Sequence, residues 1–174
     1  MPVSMPRMVP VVVDQLWRFM PQSVVDIGCG AGLYGVVARE YLDIFGAPIE
    51  YGMHRTRIDA VEVYQNYITG LHHSVYDHIW IDDVVWWVRN TESDAYDMAL
   101  MIDVLEHIPK DEGLELLVQL RRIAKHTFIN VPYPPGPQGT VFGNPHEAHV
   151  SVWEPEDFGP CEVLEKTDAL VLIL

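Results

Sequence analysis

The sequence predicts an α/β fold: a single doubly wound sheet of seven strands, mostly parallel, closed by an antiparallel C-terminal hairpin. Three observations carry this. Short apolar runs alternate with helix-length stretches along the whole chain. The first run ends in a cluster of glycines that opens a helix. The 174 residues, 49% of them hydrophobic, suit one core and one domain.

The elements follow in order. Val9 to Phe19 is an apolar helix closed by Pro21. Ser23 to Ile27 is a short buried strand. Leu33 to Phe45 reads as a helix, and Ala47 to Thr56 as an insertion. Arg57 to Val63 is a strand, with Tyr64 to Leu71 behind it as a helix. Asp77 to Ile81 is a strand and Val84 to Asn90 a short helix. Tyr96 to Ile102 is a strand. Lys110 to Ala124 is a helix with apolar positions at Leu114, Leu117, Val118 and Ile123. His126 to Val131 is a strand, and Cys161 to Leu164 with Ala169 to Leu174 forms the hairpin. The domain thus divides into an N-terminal helix (1–22), a core (23–131), a loop region (132–160) and closing strands (161–174). Alternation of this kind covers both sheet faces and places ligands at the carboxyl ends of the strands.

Composition removes several function classes. Lys and Arg number 11 against 25 Asp and Glu, a net charge of −14. Such a surface repels phosphate backbones, so no nucleic-acid partner is expected. Anionic membranes are disfavoured on the same ground, and no apolar stretch approaches the roughly 20 residues of a membrane span. The start of the chain, with Pro2, Pro6 and Pro10, lacks a signal-peptide pattern. Cys29 and Cys161 are expected as reduced thiols in a cytoplasmic protein. Oligomeric state is not legible.

The glycine turn narrows the chemistry. Val24-Val25-Asp26-Ile27-Gly28-Cys29-Gly30-Ala31-Gly32-Leu33 runs from strand to helix. A dinucleotide fingerprint needs a third glycine where Leu33 stands, so that pattern fails. Asp26 would repel a pyrophosphate but suits a cationic ammonium or sulfonium. The segment resembles the first motif of class I S-adenosylmethionine-dependent methyltransferases, a Rossmann-like family. The resemblance implies that Gly28, Cys29, Gly30 and Gly32 wrap the methionine part of S-adenosylmethionine, with Asp26 oriented towards it.

Later strand ends fit the same reading. Glu62, followed by Val63, can accept both hydroxyls of a ribose. The resemblance assigns that role to Glu62. It places a carboxylate from Asp82 and Asp83 against the adenine amino group. Register favours Asp83, with Val84 as an apolar wall; the other acid is a helix start. Asp103-Val104-Leu105-Glu106-His107 resembles the stretch found in ubiquinone-pathway and small-molecule methyltransferases, which puts Asp103 and Val104 beside the methyl donor. His107 is a candidate base. Asp103, Glu106 and His107 are possible metal ligands by type, but their spacing requires no metal, and none is assigned.

The acceptor side is less defined. In Asn144-Pro145-His146-Glu147-Ala148-His149, the second histidine falls one residue short of a zinc-protease spacing. His149 is read as facing the acceptor. Trp153 and Phe142 either line an apolar pocket or anchor the loop. The resulting expectation is transfer of a methyl group from S-adenosylmethionine to a small-molecule acceptor. The alternative is a non-catalytic S-adenosylmethionine-binding protein acting as a partner subunit or sensor.

Overall fold

A computed structural model describes residues 4–45 and 53–174. Its seven strands form one sheet in the order β3-β2-β1-β4-β5-β7-β6. These are β1 (Ser23–Ile27), β2 (Arg57–Glu62), β3 (His78–Ile81), β4 (Tyr96–Ile102), β5 (Ala124–Pro132), β6 (Glu162–Lys166) and β7 (Ala169–Ile173). The first five are parallel, β7 runs antiparallel beside β5, and β6 runs antiparallel beside β7. The strand order steps outward in both directions from β1 and β4. Their carboxyl ends therefore border the crevice where such sheets take ligands.

The helices are α1 (Met8–Phe19), α2 (Leu33–Arg39), α3 (Gly70–Val75), α4 (Val84–Asn90) and α5 (Lys110–Ile123). Pro10 sits within the first turn of α1, where a missing N–H is tolerated. Met20 ends that helix in a left-handed conformation, its N–H donated to Leu16. Strand alternation splits the core into two layers. Val25 and Ile27 pack with Val85 and Val88 of α4 and with Leu116 and Leu120 of α5. Val24 points the other way, into Met8, Val12 and Leu16 of α1 and Val37 of α2. None of the described helices is long and apolar enough to cross a membrane.

The expected fold class is the observed one, with two corrections. The helix expected over Leu33 to Phe45 stops at Arg39 and continues as a π-helical turn, Glu40–Ile44. The wider turn buries Asp43, which takes the Arg39 guanidinium at 2.7 Å. Arg39 also donates to the carbonyls of Thr56 and Val75. Asp43 Oδ1 accepts the main-chain N–H groups of Arg55 and Thr56 at 3.2 and 3.0 Å. The insertion expected over Ala47 to Thr56 falls mostly outside the described residues.

The second correction concerns Tyr64 to Leu71, expected as a helix. Gln65–Tyr67 makes one 3-10 turn, Ile68 and Thr69 are extended, and α3 starts at Gly70. Thr69 caps α3 in a reciprocal pair with His72, so the helix begins six residues late.

Candidate active site

The turn after β1 is built from backbone that only glycine adopts freely. Gly28, Gly30 and Gly32 have φ of 68, 52 and 85°. A side chain on Gly28 would run into Val104, and one on Gly32 into the ring of His72. Gly28 N–H donates to Val61 O at 2.8 Å, which ties the turn to β2. His72 is wholly buried, and its Nε2 lies 3.0 Å from Gly30 O. A carbonyl only accepts, so Nε2 carries the proton, and Nδ1 accepts from Thr69 N–H at 3.1 Å.

Glu62 completes the turn from the tip of β2. One carboxylate oxygen accepts Gly30 N–H at 2.9 Å, and the other accepts Tyr64 N–H at 2.8 Å. Burial raises its pKa, against the pull of those two N–H groups. Each oxygen keeps a further lone pair for a ligand hydroxyl. Just after β3, Asp83 Oδ1 caps α4 by accepting Val85 N–H at 2.7 Å and Trp86 N–H at 3.4 Å. Its other oxygen is free of that task.

Two chambers open along these strand ends. The first, about 230 Å³, is bordered by Gly28, Gly30, Glu62 and Val63, and by Asp82, Asp83 and Val84. The second, about 440 Å³, is bordered by Cys29, Tyr34, Glu106, Phe142 and His149. Gly28, Gly30, Asp103, His107 and Glu147 border both, so the chambers meet there. Val104 lines the first. Neither chamber has a Lys or Arg on its wall among the described residues.

Two expected cofactor residues do not reach this space. Gly32 lines neither chamber, and Asp26 is buried beneath the turn, only 2% exposed. Asp26 shares the strand face of Val24, and the phenol of Tyr76 donates to it at 2.6 Å. Burial pushes its carboxyl up to about 7, opposed by that hydrogen bond.

Asp103 holds the junction. It ends β4 with φ 54°, a left-handed conformation for a residue with a side chain, of the kind found where function constrains the backbone. Its N–H donates to Asn130 O at 3.0 Å, and the Asn130 amide donates to its carboxylate. Burial raises its pKa.

On the far side, two segments some forty residues apart are laced together. Val150 N–H and Ser151 N–H both donate to Glu106 O, at 2.9 and 3.1 Å. Ser151 Oγ donates to Leu105 O at 3.2 Å. Trp153 is buried and donates its indole N–H to Leu105 O at 3.1 Å. It therefore anchors the loop, while the exposed Phe142 faces the second chamber.

This lacing brings His149 to Glu106 and His107. The three offer ligand atoms within 4.8 Å of one another. Burial raises Glu106 well above the usual carboxylate range and lowers His107. The trio differs from Asp103, Glu106 and His107, which the sequence suggested by type.

Sequence reasoning missed several contributors. Tyr67 donates to Glu147 Oε1 at 2.7 Å and lines the first chamber, because the 3-10 turn replaces a helix there. Gln138 Nε2 donates to Glu147 O at 2.8 Å and holds the same loop. Asn130, Tyr76 and His72 are buried supports whose partners lie far away in sequence, and no local pattern marks them.

No protein-family model and no curated protein matches this sequence. Solved structures match its shape. A SAM-dependent methyltransferase from Archaeoglobus fulgidus superposes with a TM-score of 0.65 at 15% identity, covering 95% of this chain and 93% of its own. The N-terminal domain of EvdMO1, crystallised in the presence of SAH and D-fucose, gives 0.67 at 14% identity, covering 98% and 83%. An O-methyltransferase family protein from Burkholderia thailandensis gives 0.66 at 12% identity, covering 96% and 54%. The chain thus has the methyltransferase variant of the Rossmann-like fold, a mostly parallel sheet ending in an antiparallel β5-β7-β6 edge.

Proposed function

We propose that this chain is an S-adenosylmethionine-dependent methyltransferase acting on an uncharged small molecule. The observation that carries the reading is the pair of chambers joined at Asp103 and His107. The first has the acceptor set an adenosyl group needs. Glu62 offers free lone pairs at the tip of β2, and Val84 gives an apolar wall beside Asp82 and Asp83. Gly28 and Gly30 border the chamber, so no side chain of the turn stands between its backbone and a ligand there.

When bound, S-adenosylmethionine supplies a methyl group made electrophilic by its sulfonium. The chain's own residues position and shield. Glu62 is held by Gly30 and Tyr64, so its carboxylate keeps one direction. Asp103 and Glu147 border both chambers and neither wall carries a Lys or Arg among the described residues, which favours a cationic donor and disfavours an acid or phosphate ester as acceptor. His107 donates Nδ1–H to Ala148 O at 3.1 Å, which leaves Nε2 as an acceptor able to hold a hydroxyl proton. Positioning and exclusion of water then carry most of the rate.

The test is calorimetry with S-adenosylmethionine and S-adenosylhomocysteine, followed by a screen of neutral acceptors for S-adenosylhomocysteine release. One molecule bound per chain and release with a hydroxyl compound is the expected result. A folded protein that takes up neither compound sinks the proposal. Binding with no release across the library would favour a non-catalytic binder instead.

A further inference from the structure

We propose that Glu106, His107 and His149 bind a divalent metal ion of the zinc or manganese type at the acceptor chamber. The role given to this ion rests on the methyl-transfer reading above; its binding does not.

Among the described residues, these three form the one group of His, Cys, Asp or Glu side chains able to share an ion. Glu106 is 4% exposed, and its Oε2 has no hydrogen-bond partner. A buried carboxylate oxygen left without a donor is costly, and a cation removes that cost. Both imidazoles are already set for coordination. His107 Nδ1 lies 3.1 Å from Ala148 O, and His149 Nδ1 lies 2.6 Å from Gly136 O. Carbonyls only accept, so each Nδ1 carries the proton and each Nε2 keeps its lone pair. A second hydrogen bond from the non-ligating nitrogen to a carbonyl is the arrangement that orients metal-bound histidine.

The backbone supports the geometry. Val150 and Ser151 both donate to Glu106 O, so the segment bearing His149 is fixed against the turn bearing Glu106 and His107. Ligand atoms at about 2.0–2.2 Å from an ion lie roughly 3.0–3.6 Å apart, so the trio closes by about an ångström on loading. Two imidazoles and one carboxylate favour zinc, manganese, iron or cobalt over magnesium or calcium, and leave coordination positions open. Asp103 and Glu147 border the same chamber and add attraction for a cation.

An ion there would hold an acceptor hydroxyl and lower its pKa. With His107 Nε2 on the ion, the ion replaces that nitrogen as the activator of the hydroxyl: the hydroxyl proton passes to solvent, and the oxygen lone pair forms the bond to the methyl carbon. The carbon–sulfur bond breaks with its electrons kept on sulfur, leaving a neutral thioether. The acceptor is then an alcohol or phenol rather than an amine.

The experiment uses the full chain stripped with a chelator and titrated with Zn²⁺, Mn²⁺ and Co²⁺ by calorimetry, with Co²⁺ also followed by its visible absorption. S-adenosylmethionine binding is measured on the same samples. One equivalent of metal is expected, with Co²⁺ bands of a histidine-bound ion. His149→Ala and Glu106→Gln should each weaken the metal at least 10-fold, while the exposed His73→Ala changes nothing. Lack of uptake of all three ions by folded protein overturns the proposal, as does uptake that ignores both His149→Ala and His107→Ala. Metal uptake without S-adenosylmethionine binding overturns only the methyltransferase reading. The converse result overturns only the metal.

Discussion

The two walls of the cleft are built on opposite plans. On the glycine-turn wall the key polar side chains are held by hydrogen bonds. Glu62 accepts Gly30 and Tyr64, His72 holds Gly30 O, and Tyr76 holds Asp26. On the wall made by Leu105–His107 and residues 148–153, the main chain is laced but a side-chain atom is left over. Glu106 Oε2 is buried without a partner. The first wall is a finished mould for a ligand of fixed shape. The second keeps an acceptor atom unspent. A fold can thus keep one cofactor while its acceptor wall is rebuilt.

Breaking the laced wall alone should have the largest effect. Trp153→Ala removes a buried indole that rests on Gly113 and bonds Leu105 O. A loss of about 3–5 kcal/mol in urea unfolding is expected for a buried Trp, with the S-adenosylmethionine Kd little changed in protein that remains folded. If that Kd rises in step, the two walls are not independent.

The next contrast is in pH. Asp26 holds its proton to about 7 when folded, against 3.8 when exposed. The unfolded chain releases that proton first as pH rises. Its contribution is complete below pH 4 and is lost as pH climbs through about 7. The shift corresponds to roughly 4 kcal/mol across that window. Urea midpoints measured from pH 5 to 8 should fall for the parent chain and stay flatter in Asp26→Asn. Equal slopes would mean that Asp26 is charged throughout.

Glu62→Ala sharpens the comparison from the other side. It strips a ligand acceptor and leaves Gly30 N–H unpaired. S-adenosylmethionine should bind at least 100-fold more weakly, about 2.7 kcal/mol, while the metal affinity of the acceptor wall holds. Tyr67→Phe is the mildest test. It deletes one hydrogen bond to Glu147 that joins the walls, and should weaken S-adenosylmethionine by about 5-fold, near 1 kcal/mol.

The same division governs what was legible in the sequence. The turn wall is local: glycines at 28, 30 and 32 and an acid ending β2 are readable as text, because strand, bend and helix start are consecutive. Asp26 sits off the chamber walls for a reason of parity. It lies on the same strand face as Val24, so it points beneath the turn into the layer of α1 and α2 rather than into the cleft. The late start of α3 escaped notice because its cap partner at the third position is His72, where Glu or Gln is the usual signal. On the laced wall, Glu106 and His107 were visible as ligand types. Their partner His149 is set by hydrogen bonds across forty residues, which no spacing rule encodes.

Far from the cleft, Asp43 grips the chain on both sides of residues 46–52. It pairs with Arg39 on one side and accepts the N–H groups of Arg55 and Thr56 on the other. One carboxylate thus ties the end of the π-helical turn to the entry of β2. The number of residues between these two anchors is then weakly constrained, since doubling the chain between tethered points costs only about 0.6 kcal/mol. Segments of other sizes, or a grafted tag, can be exchanged at this point without disturbing the strand tips at the opposite end of the sheet.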